Sequence, residues 1–133
     1  MNMNTKRNRI RDERGQTMAE FAIVLPILIV LLFGIVQFGI LFNNYVTLTD
    51  AVRAGARAAA VSRQAPDPSG TATAAVRSSA SDLNPSTLGI SVSSGWTPGA
   101  PVTVTATYPY SINLLGWVVS SGSLTTKSTE AVE

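Results

Sequence analysis

From Phe21 to Phe42 the chain reads FAIVLPILIVLLFGIVQFGILF, 22 residues without a formal charge. Coiled as a helix at about 1.5 Å per residue, such a run crosses the roughly 30 Å of hydrocarbon in a bilayer. The stretch therefore reads as a transmembrane helix, and every other element must be arranged around a membrane anchor. Pro26, in its second turn, deprives one carbonyl of its partner and is expected to kink or thin the helix there.

The helical pattern does not stop at Phe42. NNYVTLTDAVRAGARAAAVSR has no Pro, one Gly and an Ala-rich stretch of high helix propensity, so one long helix is expected over 16–62. Its second half projects out of the bilayer. There Ala51, Gly55 and Ala59 recur every four residues, a stripe that admits close approach of another helix or, equally, of the protein's own sheet. Asp50 and Arg53 are spaced for an i,i+3 ion pair on a solvated face.

QAPDPSG breaks the helix, and 63–70 reads as a linker to a small domain over 71–133. TATAAVRSSASDLN follows as a short helix ended by Asn84 and Pro85. The period then changes to two. Leu88, Ile90 and Val92 alternate with polar residues, as do Val102, Val104, Ala106 and Tyr108, and GWTPGAP supplies a turn between the two runs. That pattern predicts an antiparallel hairpin with one buried face, with a third strand near Leu124 to Val132. The apolar cluster from Ile112 to Val119 is expected as a connection outside the sheet. It would touch the domain's own core, the membrane surface or a neighbouring subunit. The expected fold class is α+β: a long N-terminal helix, a short helix and a two- or three-stranded antiparallel sheet.

Charge separates the two ends. Five of the ten basic residues, Lys6, Arg7, Arg9, Arg11 and Arg14, fall in the first fourteen positions, whereas Arg53 and Arg57 follow the span. A basic arm before an apolar helix orients the amino end to the cytoplasm and the remainder outside, and it makes nucleic acid a poor candidate partner. The chain has neither Cys nor His, which removes disulfides, thiolate metal sites and imidazole bases. Its carboxylates are scattered singly, so no catalytic residue, metal site or cofactor is expected. Asn84-Pro85-Ser86 fails as a glycosylation acceptor because Pro occupies the middle position.

One carboxylate stands out. Glu20 lies at the mouth of the apolar run, where a charge is costly unless it reaches the headgroups or finds a partner. Near a helix amino end it gains from the macrodipole and from free backbone amides. RGQTMAEFAIVLPILIVLLFGIVQFG together with LTDAVRAGARAAAV resembles the TadE-like family, minor pseudopilins of tight adherence (Flp-type) pili within the type IV pilin class. VTVTATYPY and a short terminal strand extend that likeness over nearly the whole chain.

The resemblance implies that a prepilin peptidase cuts between Gly15 and Gln16, removing a leader over 1–15, and that Glu20 is the fifth residue of the mature chain. It implies an assembly register set by Glu20 and Phe21, the latter standing where the Flp pattern often has Tyr. Helix packing would fall to Ala51, Gly55 and Ala59. Implied partners are the peptidase, other pilins or pseudopilins, a secretion ATPase, a membrane platform protein and lipid. STEAVE, at the far end, lacks the bulky apolar residues that would dock a last strand firmly. A permanently anchored assembly factor and a signal-anchored surface binding module are the competing readings. The apolar run exceeds the ~7 to 15 residues of a signal h-region, and no small-residue cleavage site follows it.

Overall fold

The computed structural model describes residues 3–133, with side chains described from Gly15 onward. The basic side chains of Lys6, Arg7, Arg9, Arg11 and Arg14 lie outside the described residues. Helix α1 runs Met3–Val61, starting upstream of Gln16 and continuing through Pro26. A short helix α2, Pro68–Ser79, and three strands follow: β1, Gly89–Ser94; β2, Pro101–Leu114; and β3, Trp117–Ala131. They form one antiparallel sheet in the order β1-β2-β3. The fold is α+β, as the periodicities require.

Two halves of α1 live in different surroundings. Its most apolar 18-residue window has a mean hydropathy of 2.8, and none of it is buried by the rest of the chain. In the distal half, Leu48, Ala51, Val52, Gly55, Ala56, Ala59 and Ala60 are buried, repeating at three- and four-residue steps as a one-sided helix must. They pack with Ala72 and Val76 of α2 and with Val102, Val104 and Ala106 of β2. Each larger aliphatic residue fully withdrawn there contributes about 1.5–3 kcal/mol. The core thus sits on the far end of the rod.

Helix α2 begins inside the stretch expected as linker. Asp67 caps it, its Oδ1 accepting from the Gly70 amide and the Ser69 hydroxyl, each at 2.9 Å, and Pro68 follows at a position where its missing N–H costs nothing. The helix also ends earlier than Asn84. Ser78 Oγ bonds back to the Ala75 carbonyl at 3.0 Å, and serines are poor helix formers for this reason. Asn84 instead builds a turn, its Oδ1 accepting from the Ser86 amide and hydroxyl.

The connection expected from Ile112 to Val119 is corrected by the sheet itself. β2 and β3 pair continuously from Pro101↔Ala131 to Leu114↔Trp117, with a bulge between Ile112 and Asn113. Pro109 sits in that run because β1 pairs with β2 only as far as Thr107. Past that residue β2 is an edge strand on one side, which tolerates a proline. Leu115 and Gly116 close the hairpin, both at positive φ, 51° and 91°. The result is a long two-stranded arm that leaves the three-stranded sheet and runs back along α1. Gln37, Leu41 and Asn44 of α1 share a cleft with Tyr108, Tyr110 and Ile112 of the arm.

Docking of the chain end is firmer than STEAVE suggests. Val132 is buried, and its amide donates to Ala100 O while its carbonyl accepts from Gly99 N. The Glu133 amide donates to Ala60 O at 2.9 Å, satisfying one of the carbonyls that the end of α1 leaves without an intrahelical partner. One small apolar side chain and three backbone bonds do what bulk was expected to do.

Candidate functional site

Gly15, Gln16, Glu20 and Phe21 all lie on one exposed stretch of α1. Gly15 is open: a Cβ placed on it meets nothing within 4 Å. Gln16 and Glu20 are one turn apart, and Gln16 Nε2 donates to Glu20 Oε1 at 3.0 Å. The i,i+4 spacing makes this contact a property of the helix, not of a fold around it. Phe21 and Met18 stand 61% and 78% exposed, so among the described residues nothing shields the carboxylate. Among the described residues no cation pairs with Glu20; the ion pair present is Arg53 to Asp50, 3.6 Å apart on a solvated face.

Such an arrangement can hold a carboxylate at a fixed height on a helix and offer it sideways. Among the described residues no group of Asp and Glu side chains converges as a metal site would require.

Ala51, Gly55 and Ala59 occupy a different place. All three are buried under the protein's own α2 and sheet. A Cβ on Gly55 would overlap Val76 Cγ2 and lie 3.2 Å from Ala72 O and 3.5 Å from Val104 Cγ1. Of the two occupants the stripe could take, the chain supplies the internal one. Small residues here let α1 and α2 approach until backbone meets side chain, and the face is closed to another helix in this conformation.

Sequence reasoning missed two features. The Asp67 cap was legible in Asp67-Pro68, a capping residue directly before a proline at the first helical position. The β2–β3 arm was legible in the alternation Tyr108, Tyr110, Ile112, Leu114 and in Leu-Gly as a two-residue turn, but Pro109 and the consecutive apolar residues masked it.

Together these features define a class: an α+β chain on a single long helix whose proximal apolar half is wholly unburied, compatible with a single-pass membrane anchor. Residues 15–57 match the family model described as TadE-like protein. The chain thus carries a TadE-like segment over its long helix, the stretch on which the resemblance was read. The matched stretch opens at Gly15, contains Gln16, Glu20, the span and the Ala51–Gly55 packing face, and stops before α2 and the sheet. No curated protein and no solved structure matches the chain significantly.

Proposed function

We propose that this chain is a minor pseudopilin of a Tad-type pilus: a structural, non-catalytic subunit cut after Gly15 and assembled through the proximal half of α1. The observation that carries the reading is the coincidence of three things at one helix end. The family match begins at Gly15, the only carboxylate of the apolar stretch follows at Glu20, and the large apolar residues of the span are exposed apart from half-buried Leu41. An exposed helix of this kind needs lipid before assembly and other helices after it.

Cleavage would create an amine on Gln16 and leave the basic arm behind in the cytoplasm. Glu20 lies about 6 Å along the axis from that amine on its own chain. A neighbouring copy can present its own amine to this carboxylate, in place of the Gln16 side chain that now holds Oε1. The partners follow: a prepilin peptidase in the membrane, other pilins, and the secretion ATPase and platform protein that drive assembly.

Mass spectrometry of the protein from membrane fractions tests the first step. The expected mature chain begins at Gln16. Gly15→Leu is expected to leave an intact precursor, because a branched side chain would fill the space now open at that glycine. A mature chain starting elsewhere, or normal processing of Gly15→Leu, would overturn the cleavage reading.

A further inference from the structure

The far end of the β2–β3 arm is apolar and uncovered. Leu115, Trp117, Val118 and Val119 are 62–83% exposed, so the domain's own core does not receive them. Leu115 holds a left-handed backbone conformation that asparagine or glycine adopts with less strain. A bulky apolar residue is thus presented at the tip of a turn that does not favour it.

The arm's position along α1 identifies what lies against it. Thr49 Oγ1 is 3.5 Å from Thr126 Oγ1, which places β3 beside the rod near residue 49. From there the arm descends toward the apolar run, and by Ile112 it shares a cleft with Gln37 and Leu41, already inside the span. The tip lies further on by Leu114, Leu115 and Trp117, at roughly 3.3 Å per strand residue.

α1 carries no formal charge from Phe21 to Thr49, longer than the roughly 20 residues a bilayer core needs. With Glu20 held at one boundary, the other boundary falls near Ile40, beside the arm. The chain has no formally charged residue between Asp82 and Lys127, so nothing on the arm opposes an apolar boundary. Tyr108 and Tyr110 line the cleft beside Ile40 and Leu41, and Trp117 follows at the tip of the arm, residues of the kind that favour the headgroup layer. Unpaired strand edges make deep insertion of the arm's backbone costly, which confines lipid contact to its tip.

We infer that the tip of the β2–β3 arm is a second membrane contact, with Leu115, Trp117, Val118 and Val119 inserted shallowly into the lipid interface on the domain's side of the bilayer. The domain then rests on the membrane at two points, the rod and the arm. The inference rests on the anchor reading of α1 and goes beyond pilus assembly.

Only two tryptophans are present, so fluorescence of the full chain in phosphatidylcholine–phosphatidylglycerol vesicles can test it. Trp96→Phe leaves Trp117 as the reporter. Trp117→Phe leaves Trp96, which packs against the core at the opposite end of β2, about 40 Å away along the strand. A third chain lacking both and carrying Phe33→Trp reports on the span.

Lipids brominated near the carbonyl end of the acyl chain are expected to quench Trp117 and spare Trp96. Bromination deep in the chain is expected to quench the residue-33 reporter more strongly than Trp117. Quenching of the residue-33 reporter without quenching of Trp117 overturns the inference and leaves the anchor standing. A blue-shifted Trp117 untouched by brominated lipid and by iodide overturns it in favour of contact with another protein copy. No quenching of either reporter overturns the anchor and the inference together.

Discussion

At the scale of single residues, the start of the domain turns on Asp67. Its carboxylate accepts the Gly70 amide and the Ser69 hydroxyl, and these bonds, the Gly70 amide foremost, hold its pKa below the ordinary value. A carboxyl whose folded pKa is depressed adds stability that is fully present above its unfolded pKa of about 3.9 and is lost as pH falls through the folded value. Acidifying the full chain in detergent from about pH 5 to below that range is therefore expected to cost the wild type more stability than Asp67→Asn. Guanidinium unfolding followed at Trp96 measures both. The remaining carboxylates are common to the two chains, so parallel pH curves would remove Asp67 from the account. Glu20 is the contrasting case: the sequence marks it by its place in an apolar run, and the structure adds the Gln16 side chain as a hydrogen-bond donor to it.

Elements were legible to the extent that one periodicity governed them. α1, β1 and the upper part of β2 follow three-four and two-residue repeats, and the structure places them so. The arm did not, because Pro109 looks like a breaker until β1 is known to stop at Thr107 and free that edge. The stripe on α1 is a different kind of ambiguity, since Ala51, Gly55 and Ala59 read identically whether an internal or an external neighbour covers them. Packing decides it, and packing can be tested. Gly55→Ala should gain about 1 kcal/mol in helix propensity yet lose more from overlap with Val76 and the Ala72 carbonyl, where overpacking costs about 1–3 kcal/mol. A net loss of roughly 1 kcal/mol in the domain's unfolding is expected. Gly39→Ala, with nothing within 4 Å of the added methyl, is expected to leave that transition unchanged. If Gly55→Ala were as stable as wild type, the close approach of α1 and α2 would be wrong.

Taken whole, the molecule divides its labour along one rod. The distal half is consumed by its own domain, which leaves the proximal half, from Gly15 through the span, as the surface that the proposed assembly would use. This division was only partly legible: a helix compatible with a membrane anchor follows from one uncharged run, whereas the claim of the domain on the distal half depends on contacts between residues far apart in the chain. It sharpens what Glu20 can do. In a bundle of such helices a carboxylate facing lipid or another helix must meet a cation, because removing one partner of a buried pair costs about 3–5 kcal/mol. On the proposed reading a copy that slips along its neighbour would incur that cost, so the pair would set the axial register. Glu20→Ala and Glu20→Gln are both expected to be processed to a chain beginning at Gln16 yet to be missing from sheared filaments. The Gln variant separates two roles. It keeps an acceptor for the Gln16 side chain and for free amides at the helix end, but it has no charge to offer a neighbour's amine. Immunoblots of sheared surface material against membrane fractions read the outcome. Incorporation of Glu20→Gln at the wild-type level would show that hydrogen bonding within one helix suffices, and the intermolecular ion pair would have to be abandoned.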